Sequence, residues 1–414
     1  MTTRYEENTL FIEALSCEAL AKEFGTPTFI YSADRILKNF SNFKRSFEPL
    51  DPMVCYAVKA NSNLGVLGLL AEAGAGFDIV SGGELQRVIA AGGAPSKTVF
   101  SGVGKQRWEI ELALKHKIYC FNVESRSELV LINEIAAALK VDAPVSIRVN
   151  PDVDPGTHPY IATGLKENKF GVPYEEAIAL YLEARDLNHV EIRGIDYHLG
   201  SQIDSLEPYA EGLAKILELI DQLAREEVIL EHVDIGGGMG ITYKDEQALD
   251  PAELASAVYQ QLGNRNIKLL MEPGRSIVAD AGTLLTRVIT LKENHRGFAI
   301  VDAAMNDLIR PALYEAWQNV IPATRREGNA RTFNIVGPIC ESGDFLAKDR
   351  ELNLEEGDLL AIETSGAYGF VMSSNYNTRN RAAEVIVKDG IAHCVRQRET
   401  FEDQIKLEST VPKD

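Results

Sequence analysis

Between about residues 25 and 280 the chain repeats one pattern: a short apolar or β-branched run, a polar or glycine turn, then an amphipathic stretch of helical period. The apolar runs fall at 53–58, 76–80, 98–100, 118–123, 144–149, 192–197, 231–235 and 267–271. Unbroken runs of this kind suit strands buried on both faces of a parallel sheet. Eight strand–helix units in this length predict a (β/α)8 barrel of the TIM type, whereas a doubly wound sheet uses fewer units and carries its glycine fingerprint at the first turn. Residues 16–24 read as a short helix closed by Gly25, and 28–31 as an extended segment leading into the first unit. Ser81-Gly82-Gly83-Glu84 has the spacing of a capping box, with a hydroxyl for the first free amides and a carboxylate reaching back.

Past about residue 280 the long helical stretches stop. Runs at 283–291, 298–301, 332–336, 358–362, 383–387 and 391–395 read as strands, with Lys388-Asp389-Gly390 as a hairpin turn. The fold class expected is therefore α/β, with the barrel over 25–280 and a C-terminal all-β domain over 281–414, residues 1–24 packing on the latter. A chain of 414 residues exceeds what one hydrophobic core supports, which agrees with two domains.

Charge narrows the partners. A formal net charge of −19 repels polyanions, so neither nucleic acid nor an anionic membrane surface is an expected partner. Cys17, Cys55, Cys120, Cys340 and Cys394 are odd in number and scattered, without a Cys-x-x-Cys pair. That argues against a disulfide framework or a zinc site and for a reducing, cytoplasmic setting; no metal is expected. The first fifteen residues carry Glu6, Glu7, Asn8 and Glu13, which does not suit a signal sequence, and no apolar run is long enough to span a bilayer.

In a barrel, loops from different strands converge at the strands' C-terminal ends. Four polar features fall there: Lys59, His198, the cluster Gly236-Gly237-Gly238-Met239-Gly240, and Glu272-Pro273-Gly274-Arg275. The glycines read either as a plain turn or, with Ser201 and Gly274 beside Arg275, as a phosphate cradle. A lysine amine facing such a cradle suggests a phosphorylated aldehyde, of which pyridoxal phosphate is the common one. Glu272 against the pyridine nitrogen would favour the protonated ring. His198 reads either as a group stacked on that ring or as a satisfied histidine at a strand end.

Tyr56-Ala57-Val58-Lys59-Ala60-Asn61, Ser81-Gly82-Gly83-Glu84-Leu85, His198-Leu199-Gly200-Ser201-Gln202, Gly236-Gly237-Gly238, Glu272-Pro273-Gly274-Arg275, Cys340-Glu341-Ser342-Gly343-Asp344 and Gly366-Ala367-Tyr368-Gly369 occur in this order. Together they resemble the signatures of the pyridoxal-phosphate-dependent decarboxylases of the alanine-racemase fold, from about Phe29 to Val387. The resemblance implies that Lys59 binds the cofactor aldehyde, His198 stacks on the ring and Glu272 pairs with its nitrogen. It assigns the phosphate to Ser201, the backbone of Gly236, Gly237, Gly238 and Gly240, Gly274, Arg275 and Tyr368. Cys340 becomes the acid that returns a proton after carbon dioxide leaves, supplied from the partner subunit of a homodimer; a lone cysteine in a β domain otherwise reads as core.

Substrate choice follows from the charges at the substrate's far end. A diamino diacid needs both a cation and an anion there, whereas ornithine or lysine needs the anion only. Arg275 and Arg310 offer planar forks for a carboxylate, with Tyr314 and Tyr368 beside them, and Glu341 offers the anion; surface ion pairs are the plain reading of both arginines. Relatives acting on ornithine or arginine usually have Asp after the cysteine, so Glu341 points to meso-diaminopimelate, converted to L-lysine and carbon dioxide. The alternatives are a decarboxylase of the ornithine or arginine type, an amino acid racemase of the same fold, and a non-catalytic carrier of the cofactor. Glu272 and Cys340 count against the racemase, and the second domain counts against the carrier.

Overall fold

The computed structural model describes residues 2–154, 169–293 and 296–412. The chain divides into two compact units, Leu37–Ile277 on one side and Met1–Ile36 with Val278–Asp414 on the other.

The first unit is a closed parallel barrel. Its strands are β1 Met53–Ala57, β2 Gly76–Ile79, β3 Thr98–Phe100, β4 Cys120–Val123, β5 Ala143–Asn150, β6 Val190–Asp196, β7 His232–Asp234 and β8 Lys268–Met271. Each pairs in parallel with the next, and β8 returns to β1 through Leu270 opposite Met53 and Met271 opposite Val54. All eight anticipated runs are strands. Their apolar side chains, such as Val54, Phe77, Val99, Phe121, Ile147, Ile195, Val233 and Leu269, are buried, as strands covered by the barrel interior and an outer helical ring require.

The capping prediction at Ser81 is met in part. Ser81 Oγ accepts from Glu84 N–H at 3.2 Å and starts the helix Gly82–Ala90. The Glu84 carboxylate, however, accepts from Val80 N–H at 2.7 Å, one residue earlier than the capping box would have it. Gly82 N–H is taken instead by Glu109 of the next helix, which caps two helices by also accepting from Gln106 N–H.

The second unit is built on a sheet in the order Phe345–Leu352, Arg331–Val336, Gly297–Val301, Gly282–Glu293, Thr28–Ser32, Ala383–Lys388, Ile391–Arg396. Leu359–Ile362 also pairs with Gly282–Glu293, and Val320–Pro322 with Leu359–Ile362. Thr28–Ser32 is extended, as read, and precedes the barrel along the chain, but its strand partners are in this sheet: it lies between Gly282–Glu293 and Ala383–Lys388 as an inner strand, buried on both faces. An isolated apolar pentapeptide has no period that says which sheet it joins. Asp389 and Gly390, at φ 52° and 74°, form the two-residue turn between the last two strands, with both residues left-handed as a type I′ hairpin demands. The N-terminal strands Thr3–Glu6, Thr9–Ile12 and Leu15–Ser16 form a small antiparallel sheet, and Leu10, Ile12 and Leu20 enter one core with Ile30, Leu285, Leu359 and Val385.

Candidate active site

Lys59 sits in a single 3-10 turn, Val58–Ala60, where β1 ends. Its Nζ donates to Asp78 Oδ2 at 2.7 Å; the Asp78 side chain is fully buried on β2, while the Lys59 side chain keeps about a third of its surface open. Asp78 was not singled out from the sequence. Its signal was there: one carboxylate inside the apolar run Gly76-Phe77-Asp78-Ile79, which a buried strand tolerates only with a partner.

Glu272 follows β8 and is 5% exposed. Its backbone N–H donates to Gly236 O at 2.8 Å, and its Oε1 accepts from Ser101 Oγ and Asn122 Nδ2, both at 3.3 Å. Ser101 and Asn122 come from the ends of β3 and β4. Asp196 and Asp234, the last residues of β6 and β7, bring their carboxyl oxygens within 4.8 Å of those of Glu272. Asp234 Oδ1 accepts from Gly236 N–H at 2.9 Å; Asp234 Oδ2 and both oxygens of Asp196 accept no hydrogen bond from the described residues. Arg148 of β5 stands near, its Nε 3.8 Å from Asp196 Oδ2 and its Nη1 3.3 Å from Glu124 Oε1.

Three buried carboxyls with this little positive charge cannot all be ionised. Burial first, and then repulsion from Asp234, Asp78 and Asp196, holds Glu272 well above the usual carboxylate range; Lys59 pulls the other way. Asp196 and Asp234 are raised for the same leading reason, burial. The region therefore favours an added positive charge. A protonated ring nitrogen or a metal ion would meet that demand, and Asp196, Asp234 and Glu272 are the oxygens that could hold the latter.

His198 follows β6. Its Nδ1 accepts from Gly237 N–H at 3.2 Å, which places the proton of a neutral ring on Nε2. Burial, helped by the charges of Arg148 and Lys59, keeps it well below the usual histidine range, so the ring is uncharged.

The glycine cluster turns out to serve close packing between loops as much as open donors. A Cβ at Gly236 would stand 2.5 Å from His198 Nδ1, one at Gly237 2.1 Å from Glu272 O, and one at Gly238, with φ +95°, 2.4 Å from Gly200 O. The amides of Gly236, Gly237 and Gly240 are bonded to Asp234 Oδ1, His198 Nδ1 and Ile203 O. Those of Gly238 and Gly274 make no hydrogen bond among the described residues. Arg275 Nη2 donates to Ser201 Oγ at 3.0 Å and Nη1 to Tyr243 Oη at 2.7 Å, so the β6 and β8 loops are tied together. Two open amides beside a serine and a buried arginine suit a phosphate, and the negative pocket at Glu272 suits a pyridinium. The donor set thus fits pyridoxal phosphate.

The remaining sequence-derived residues lie in the second unit. Arg310 is 7% exposed at the start of a short helix, its guanidinium 5.8 Å from the Tyr314 ring centre. Cys340 and Glu341 are exposed in the turn between Arg331–Val336 and Phe345–Leu352, and Tyr368 is half-buried with a left-handed φ of 53°. Sequence reasoning missed Asp78, Ser101, Asn122, Arg148, Asp196 and Asp234. Most of them could have been read as a polar position inside an apolar run, as in Val145-Ser146-Ile147-Arg148-Val149 and Val233-Asp234-Ile235.

Comparison with known proteins places these residues in a family context. Residues 33–279 match the model of the pyridoxal-dependent decarboxylase pyridoxal binding domain. A diaminopimelate decarboxylase of Pseudomonas aeruginosa is 54% identical over 413 residues, all of this chain and all of the relative. The crystal structure of diaminopimelate decarboxylase from Helicobacter pylori complexed with L-lysine is similar with a TM-score of 0.92 and 43% identity, covering 94% of this chain and 98% of that one. The corresponding structure from M. jannaschii in complex with L-lysine has a TM-score of 0.94 and 38% identity, covering 99% and 98%.

Proposed function

This chain belongs to the pyridoxal-dependent decarboxylase family, and from that premise we propose that it is a carbon–carbon lyase converting meso-diaminopimelate to L-lysine and carbon dioxide. The observation that carries the reading is full-length relatedness to diaminopimelate decarboxylases, joined to a barrel mouth whose groups suit the cofactor. Pyridoxal phosphate is that cofactor: when bound it supplies an aldehyde for an amine and a protonated ring that takes up the electron pair left as carbon dioxide departs.

The residues divide the remaining work. Lys59 supplies the amine that holds the aldehyde carbon, and Asp78, 2.7 Å from its Nζ, receives the ammonium whenever that amine is free. Glu272 would hold the proton of the ring nitrogen, with Ser101 and Asn122 fixing one carboxyl oxygen. A carboxyl that burial has made reluctant to ionise alone becomes a strong partner once a cation stands beside it. His198, uncharged, would lie against the ring of the bound cofactor without competing for that positive charge. Ser201, Arg275, Gly274 and the backbone of Gly236, Gly237, Gly238 and Gly240 hold the phosphate, with Tyr368.

Cys340 gives the proton back to the product carbon, acting from the partner subunit of a homodimer. Arg275, Arg310 and Tyr314 take the far carboxylate of the substrate, and Glu341 takes the far ammonium. Carbon dioxide release from meso-diaminopimelate, ornithine, arginine and lysine tests the assignment. A kcat/KM for meso-diaminopimelate about a hundredfold above the others is expected, since a substrate without the far carboxylate leaves the arginines unpaired. A preference for ornithine or arginine overturns it.

A further inference from the structure

The turn that carries Cys340 and Glu341 is exposed, and the second unit holds it from two sides. On one side Asp344 closes the turn: its Oδ2 accepts from Ile339 N–H at 2.8 Å and its Oδ1 from Met305 N–H at 2.7 Å. On the other side runs the segment 373–379. It hangs from the same 302–307 turn, because Ser374 N–H donates to Asn306 O at 2.9 Å, Asn306 Nδ2 to Ser374 O at 3.2 Å, and Arg379 Nε to Asn306 Oδ1 at 3.1 Å. From this segment Asn377 reaches across, and its Oδ1 accepts from Cys340 N–H at 3.0 Å. The neighbouring Tyr376 hydroxyl faces Glu341, whose carboxylate raises the phenol above its usual range.

In the single chain water could satisfy an amide in this exposed turn without a protein acceptor. A bond to a side chain there adds little stability and chiefly fixes the direction of the residue. The backbone cost points the same way. Asn377 has φ 57° and Thr378 φ 56°. Asparagine tolerates that left-handed region, but a β-branched threonine does so only where its surroundings force it.

We propose that Asn377 is a positioning residue for Cys340: its amide oxygen fixes the cysteine backbone so that the thiol points in one direction, without placing a charge beside it. A carboxylate at the same place would make the bond but would also disfavour any negative charge on the sulfur. The inference rests on the assignment of Cys340 as proton donor and adds the residue that orients it.

The test uses the holoenzyme. Asn377→Gly keeps the left-handed backbone and removes the acceptor; kcat should fall about tenfold, the rate equivalent of one lost hydrogen bond, while KM and cofactor absorbance stay unchanged. Hydrogen exchange at the Cys340 amide should quicken in the same variant. Asn377→Asp, which retains an acceptor oxygen and tolerates the same backbone, should keep the amide protected and recover part of the rate. If the glycine variant does not accumulate folded, Asn377→Ser, whose side chain is too short to reach, carries the same expectation. Cys340→Ala separates the two layers. An inactive Cys340→Ala beside an Asn377→Gly of wild-type kcat overturns the positioning role alone; a fully active Cys340→Ala overturns the proton-donor reading and this inference with it.

Discussion

The two units hold reactive groups in opposite ways. In the barrel, Lys59, Asp78, Arg148, Asp196, Asp234 and Glu272 come from the ends of six different strands, all buried except the partly open Lys59, and the charges of Asp234, Asp78, Asp196 and Lys59 bear on Glu272. In the second unit Cys340 and Glu341 are neighbours in sequence, exposed, and held by Asp344 of their own turn and by Asn377 across it. The contrast teaches where each property is set. A buried group takes its protonation from its neighbours, so its behaviour belongs to the tertiary structure. For the exposed pair, what the fold supplies is the direction in which it is held.

This difference sets what substitutions should do to colour and to rate. The largest effect is expected at Lys59: Lys59→Ala should lose the yellow absorbance of the bound cofactor and at least about a thousandfold in kcat. A coloured variant of normal rate would remove the barrel from the chemistry. Glu272→Gln should cost about a hundred- to a thousandfold in kcat, as expected when a preorganised charge partner is lost, and should alter the pH dependence of the absorbance. Cys340→Ala should cost about a hundredfold, in the range of a lost general acid, yet leave the absorbance as it was. Mixing it with Lys59→Ala should restore some activity if donor and cofactor amine come from different subunits, and mixed dimers without recovery would count against that sharing. Glu341→Ala should act on KM, raising it for meso-diaminopimelate about tenfold and for ornithine at least as much, since both substrates carry the far ammonium. If it lowers kcat instead, the residue belongs with Cys340 and not with substrate choice.

The smallest effect concerns stability in the cofactor-free protein. Glu272 and Asp196 are held well above the usual carboxylate range, so the folded chain retains protons that the unfolded chain sheds. Their contribution is present at acid pH and is lost as pH rises toward their folded values. His198 and His232, lowered by burial, work in the opposite direction, but only below the ordinary histidine range. Between about pH 6.5 and 8 the carboxyl effect is therefore exposed, and the urea midpoint should decline with pH. Glu272→Gln should flatten that decline, and so should added cofactor. An equal slope in wild type and variant would mean that the buried charges are balanced by something else.

Much of the barrel site was legible because strand ends are marked in the sequence. Lys59, His198 and Glu272 are polar residues at the close of apolar runs, and the glycine cluster follows another such run. Asp78, Arg148, Asp196 and Asp234 were not read, because a charge inside an apolar run looks like an interruption until the strand is known to end beside a mouth full of partners. Ser101 and Asn122 gave no signal that sets them apart from ordinary polar residues, since their importance lies in reaching Glu272. The partners of Thr28–Ser32 were not legible for a similar reason: strand pairing between residues 28–32 and 383–387 depends on chain segments some 350 residues apart.

By itself the sequence determined the period of the strands, the places where apolar runs end, and the kinds of side chain available there. These are local properties, fixed by how side chains of each type partition between water and a packed interior. Only the tertiary structure decided which carboxyls stand within reach of one another, which glycine amides are already bonded, and which side chain takes the Cys340 amide. Those outcomes depend on distances between residues remote in the chain, and both Coulomb energy and hydrogen bonding are functions of distance rather than of order along the backbone.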